Sequence, residues 1–279
     1  MKTRIAVILV AVLFLQGCGL KFWYNRLDWV VPWYVDDFVE LTEPQEQRLE
    51  DLLVRQTQWH RQQELPKYVA FLEVVRQDIT DGTVVENYYL RRLQMSSFYE
   101  TLVAQMAPQL SQLMISLNES QMESLLKNLK EQDQDLLKER AEESAEERVE
   151  QIYQNIKDSI EDWTGRLTTE QRQVVKQWAS KIEDTTQLRM AYRQEWREAV
   201  LIEYQLAKVD DNHRAFEDLI INADQFQSSQ LKQAYRQNAV TGEQYISEIF
   251  SMLTDKQRKR LVYRIDQYIE DFNDLINDQ

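Results

Sequence analysis

Few side chains in this sequence of 279 residues have the types and spacing that chemistry needs. His60 and His213 are its two histidines, and each has a glutamate four residues on, Glu64 and Glu217. Residues four apart share a helix face, so either pair could offer two ligands to zinc. Two ligands are half a site, and a hydrogen-bonded or surface histidine beside a charge is the simpler account of each pair. Carboxylates are too numerous for any pair to stand out as acid and base. The phosphate-cradling patterns GxGxxG and GxxxxGK[ST] are absent, as is the GxSxG elbow. Nothing here requires an enzyme or a cofactor.

Composition points to helix. Five glycines and four prolines are too few for the turns that sheets demand. Apolar residues recur at spacings of three and four, as in Met122, Leu125, Leu126, Leu129 and again in Val149, Ile152, Ile156, Ile160, Trp163. The pattern places helices near 43–63, 67–80, 84–116, 119–163, 169–208, 213–238, 243–252 and 255–275. Thr241-Gly242 is a turn candidate. The expected fold is all-α: an elongated antiparallel bundle, as one continuous domain or as two helical units, 41–140 and 141–279. A long acidic helix through Lys138–Arg148 would join the halves.

Residues 1–17 read as a signal peptide, with Lys2 and Arg4 before the apolar run Ile5–Leu15. That run is too short to span a bilayer stably. Leu15-Gln16-Gly17-Cys18 resembles the lipobox of bacterial lipoproteins, which implies cleavage before Cys18 and acylation of that residue. More than one acyl chain anchors firmly, each buried methylene contributing about 0.8 kcal/mol. With the only cysteine committed to lipid, no disulfide, thiolate nucleophile or cysteine metal site remains. Gly19 stands where an aspartate would resemble an inner-membrane retention signal, so the resemblance implies the outer membrane, facing the periplasm. Loss of Lys2 and Arg4 takes the formal net charge from −14 to −16. Such acidity argues against nucleic acid as a partner. The segment 18–40 crowds in Phe22, Trp23, Tyr24, Trp29, Trp33 and Tyr34, residues that suit either a membrane interface or a lid on the helical body.

One phrase recurs four times: Leu41-Thr42-Glu43-Pro44-Gln45, Leu117-Asn118-Glu119-Ser120-Gln121, Leu167-Thr168-Thr169-Glu170-Gln171 and Leu253-Thr254-Asp255-Lys256-Gln257. Physically each is a capping box, with Thr or Asn capping a free N–H and Gln reaching back. Repeated LTxxQ also resembles the periplasmic Spy and CpxP family of helical stress proteins, whose second copy precedes a short basic helix, as Lys256–Arg260 does here. The resemblance implies client binding, and the pairing of four copies suits two tandem units. Tyr24–Trp29, Pro32–Asp37 and Trp59–Pro66 resemble a family of proteobacterial lipoproteins with no assigned function, and this likeness runs along the mature chain.

Met95, Met106, Met114 and Met122 fall in one helical region. Methionine faces remould around varied partners, so these four are candidates for protein binding, although such stripes also build ordinary core. The expected role is protein binding at the envelope: chaperone-like holding of unfolded polypeptide, or scaffolding for one dedicated envelope partner. Metal-linked stress sensing through His60, Glu64, His213 and Glu217 is a further alternative.

Overall fold

A computed structural model of the protein describes residues 18–210 and 213–278. Its helices are α1 (Cys18–Tyr24), α2 (Leu27–Asp36), α3 (Glu43–Trp59), α4 (Leu65–Asp81), α5 (Val84–Ser116) and α6 (Glu119–Glu142). Then follow α7 (Ala145–Thr164), α8 (Thr169–Ala179), α9 (Thr186–Asp210), α10 (Arg214–Ile221), α11 (Ser229–Ser251) and α12 (Asp255–Asn277). A π-turn, His60–Glu64, joins α3 to α4, and a 3-10 turn, Ala223–Phe226, follows α10. No strand occurs among the described residues, and the fold is an all-α bundle. The signal-like segment 1–17 lies outside the described residues.

All four LTxxQ phrases open helices. In α6, α8 and α12 the side chains of Asn118, Thr168 and Thr254 accept from the backbone N–H of Gln121, Gln171 and Gln257. In α3 the Gln45 N–H donates to the Thr42 carbonyl instead. At every start the glutamine Oε1 accepts from the N-cap N–H three residues earlier, at 2.9–3.0 Å.

The glutamines then do more than cap. Gln45 and Gln121 form a reciprocal carboxamide pair, with Nε2 to Oε1 distances of 3.1 and 2.7 Å. Gln171 and Gln257 form another, at 3.0 and 2.8 Å. The second proton of each Nε2 reaches the carbonyl just ahead of the partner phrase. Gln45 donates to Ser116, Gln121 to Glu40, Gln171 to Met252 and Gln257 to Arg166. Each side chain therefore fills both donors and both acceptor lone pairs. The leucines that open the phrases are buried beside these clasps.

Helices from elsewhere in the chain complete the core around each clasp. Leu41, Leu52, Leu117 and Met122 share one cluster with Val200, Tyr204 and Phe216. The Tyr204 hydroxyl donates to the Leu117 carbonyl at 2.7 Å. Around the second clasp Leu253, Leu261 and Ile265 pack with Ile79 and Val84, while Leu167, Val174, Val175 and Ile249 form a third cluster. So α4, which follows the first clasp's α3, packs on α12, and α9, which follows the second clasp's α8, packs on α6. Charge secures both crossings: Arg76 pairs with Asp266 at 2.7 Å, and buried Asp133 takes Arg193 at 2.6 Å and Arg197 as well. Segments 41–140 and 141–279 thus contribute to each other's cores.

Several boundaries differ from the periodicity reading. The expected connecting helix through Lys138–Arg148 is broken, α6 stopping at Glu142 and α7 starting at Ala145. Ser144 and Glu147 make a further capping box, in which Ser144 accepts from the Glu147 N–H and Glu147 from the Ser144 N–H. Those bonds hold the Glu147 carboxyl below its usual range. The helix expected over 169–208 breaks after Ala179, where Asn238 bonds both the N–H and the carbonyl of Glu183 and Asp184 caps Thr186. The helix expected over 213–238 is interrupted before Ser228, which caps Leu231. Thr241-Gly242 is no turn: both lie inside α11, where a Cβ on Gly242 would sit 3.4 Å from the Trp178 ring.

Removing one clasp partner leaves a buried carboxamide without its mate. Gln257→Ala is expected to lower the unfolding free energy by about 2–3 kcal/mol, against about 1 kcal/mol for Thr254→Ala, which loses only the cap. Urea denaturation of both variants checks the ranking.

Candidate binding surfaces

The N-terminal helices, where Cys18 opens α1, are fastened to the far end of the body. Lys21 pairs with Asp274 and, at 3.7 Å, with Asp271. Arg61 donates to Asn25 and to the Asp278 carbonyl. Val31 and Val35 of α2 pack on the first core. Two aromatics stay outside: Phe22 is 54 % exposed, and Trp29, stacked on Trp33, is 62 % exposed. The segment is thus part lid and part exposed aromatic surface.

His60 sits in the π-turn beneath α1, with its Nδ1 at 2.9 Å from the Tyr24 hydroxyl and its ring against Tyr68. Burial pushes the Tyr24 hydroxyl up to about 12, so it stays protonated. Burial also holds His60 below its ordinary 6.5, against the opposing pull of Glu64. Glu64 is buried and ion-pairs with Lys67 at 2.6 Å. His213 lies elsewhere, at the head of α10, its carbonyl accepting from Ser111 at 3.4 Å, with Glu217 in the first helical turn. Among the described residues no three His, Cys, Asp or Glu side chains converge as a metal site would need. Neither histidine pair gains a third ligand among the described residues.

The methionines do not form one face. Met122 is fully buried and Met114 packs against the first core, whereas Met106 is half-buried and Met95 is 60 % exposed. Met95 belongs instead to an apolar ridge on the first half of α5. Val85, Tyr89, Leu90, Leu93 and Tyr99 accompany it, each 40–70 % exposed. Val85, Tyr89 and Leu93 follow one another at four-residue intervals, and the ridge runs about 21 Å at 1.5 Å per residue. The opposite side of this half-helix holds it in place. Phe98 packs between Tyr68 and Phe71, and Arg91 and Asn87 each bond Asp78 at 2.7 Å. Burial pushes the Asp78 carboxyl up, but those bonds prevail and hold it below its usual range. The sequence signal for the ridge was a helix apolar on both sides, which one binding stripe could not explain.

A second apolar surface is concave. Between α7 and α11 lies a cleft of about 530 Å³, lined by Ile156, Ile160 and Trp163 on one side and Ile246 and Phe250 on the other, with Leu253 below. Its volume lies in the range of small-molecule sites. The α7 stripe that forms one wall was legible as an apolar face, but the opposite wall comes from a distant segment.

The unfolded chain's His60 titrates near 6.5 and the folded chain's lower. Its contribution to stability is therefore present above 6.5 and is lost as pH falls through the folded value. Melting temperatures at pH 7.5 and 5.0 are expected to drop further in the native chain than in His60→Gln, which lacks the titration.

Residues 37–236 match the model of a family of unknown function, DUF6279. The match covers most of the chain, and the chain belongs to that family. No curated protein and no solved structure matches it.

Proposed function

We propose that this DUF6279 protein is a lipoprotein, held by acyl chains on Cys18 to the periplasmic face of the outer membrane, that works by binding another envelope protein. The reading is non-enzymatic. Leu15-Gln16-Gly17-Cys18 supports the anchor, and the exposed Phe22 and Trp29 close behind it suit a membrane interface. The observation that carries protein binding is the ridge of α5. Six large apolar side chains in fifteen residues stand open to solvent on a well-fixed helix. Large apolar side chains exposed together mark an interaction surface. Three of the ridge's side chains, Val85, Tyr89 and Leu93, recur at four-residue intervals, so they fit a groove on one dedicated partner, as amphipathic helices do.

Chaperone-like holding of many clients is the second reading. Met95 and the mixed aromatic and aliphatic character of the ridge favour it, since such surfaces repack around varied segments. The repeated LTxxQ phrases, similar to those of the Spy and CpxP family, support it as well.

The two readings part in one experiment. A soluble form beginning at Gly19 is tested for slowing the aggregation of several unrelated unfolded proteins, and a photo-crosslinking residue at Leu90 is used in cells. Suppression across clients with a ladder of crosslinks supports holding; no suppression and a single crosslinked species supports a dedicated partner. Under either reading Tyr89→Ser with Leu93→Ser is expected to weaken binding about tenfold, a loss of about 1.4 kcal/mol, at unchanged melting temperature. Binding unaffected by this double substitution removes the ridge from the proposal.

A further inference from the structure

We propose that the cleft between α7 and α11 binds a free fatty acid, its hydrocarbon chain lying between the helices and its carboxylate meeting Arg260. None of the residues lining the cleft is charged, in a chain where 29 % are. Its polar members are Asn155, Ser159 and Thr164, and all three are already engaged, Ser159 donating to the Asn155 carbonyl at 2.8 Å. The Thr164 hydroxyl donates to the Ile160 carbonyl at 2.8 Å, and Asn155 accepts from Gln151 at 2.9 Å. A peptide laid in the cleft would leave its backbone N–H and C=O groups without partners. A hydrocarbon chain has no such groups to satisfy. From Ile156 to Trp163 the α7 wall runs about 11 Å, which suits a chain of medium length.

The cleft is also where the second clasp's core is incomplete. Around Gln45 and Gln121 the buried apolar residues form one contiguous cluster. Around Gln171 and Gln257 they fall into two, with Trp163 and Phe250 in one and Ile156, Ile160 and Trp178 in the other. Residues of both clusters line the cleft.

Charge selects the head group. The first turns of α12 carry Lys256, Arg258, Lys259, Arg260 and Arg264, a local reversal in a chain of net charge −14. Arg260 lies beside the cleft, against Gly165, the residue after Thr164 of the lining. It is exposed, it adjoins Leu261 in the lining, and its stem lies across Gly165, 2.9 Å from where a Cβ would be. Gly165 holds a φ of +79° and follows Thr164, a lining residue. Asp162 feels Arg260 and Arg264, yet burial raises its carboxyl above the usual range. α1 meets α12 at Asp271 and Asp274, about 15–20 Å along the helix from Leu261 in the lining.

Trp163 and Trp178 make the test intrinsic, since both line the cleft. The purified chain with Cys18→Ala, free of attached lipid, is titrated with bromine-substituted dodecanoate while tryptophan fluorescence is followed. Saturable quenching is expected. It should vanish in Trp163→Phe with Trp178→Phe, while calorimetric binding of dodecanoate persists. Ser159→Phe, which blocks the mouth from an exposed position, and Ile246→Glu are each expected to weaken binding at least about tenfold with helical circular dichroism unchanged. Arg260→Glu should weaken dodecanoate about tenfold and leave dodecanol unaffected. Absence of saturable quenching overturns the proposal, as does quenching that Ser159→Phe leaves intact. Dodecanol binding as tightly as dodecanoate would remove the carboxylate's role. Displacement by phosphatidylglycerol vesicles at equal lipid concentration would make a membrane lipid the ligand instead.

Discussion

Two helix N-termini brought together present like ends of two dipoles to each other, and this protein does so twice. The reciprocal glutamine pairs make that arrangement tenable. Each carboxamide satisfies the backbone of its own helix start, its mate's carboxamide and the chain entering the mate's helix. Glu43, Glu119, Glu170 and Asp255 in the first turns add negative charge where the positive ends converge. Glutamate at the glutamine positions could not donate, and an apolar residue could neither donate nor accept. Every other feature is hung on these two points: the leucines beneath them, the long helices they start, and the crossings that complete their cores.

How much of this was legible follows from the range of each interaction. A capping box lies within four residues, so all four LTxxQ starts could be read directly. The pairing of Gln45 with Gln121 could be suggested only by the spacing of the phrases, because nothing local names a mate. Ser144 and Glu147 were equally local, but the surrounding run of charge hid their box inside an apparently continuous solvated helix. Gly242 shows the opposite error. Its type suggested a turn, whereas it lies inside α11 against Trp178, a contact between distant segments. Met122 and Met95 share a helical stretch in sequence and end in opposite environments, one fully buried and one exposed. The cleft was illegible for a related reason: a stripe can be read, but the failure of distant walls to meet cannot.

The ridge and the cleft divide the apolar surface between two kinds of ligand. The ridge is borne by one helix and braced from behind by Asp78 and Phe98. The cleft is concave, shared by two helices and bordered by the chain's most basic stretch. Net charge alone would steer anions away from the whole molecule, so any affinity for one depends on how charge is distributed. The beginning of α12 is where that distribution changes sign.

Helical proteins usually fold quickly because their contacts are local in sequence. Here the decisive contacts are not. The second clasp needs the last helix, and so does α4, whose Ile79 has its core partners Leu261 and Ile265 on α12. Until that helix is available, one face of α4 has nowhere to dock, however well formed it is. A chain delivered from its N-terminus therefore can close the first core, whose residues end at Phe226, before the second, which waits for α12. The apolar face of α4 stays open to proteolysis and self-association until the final helix arrives.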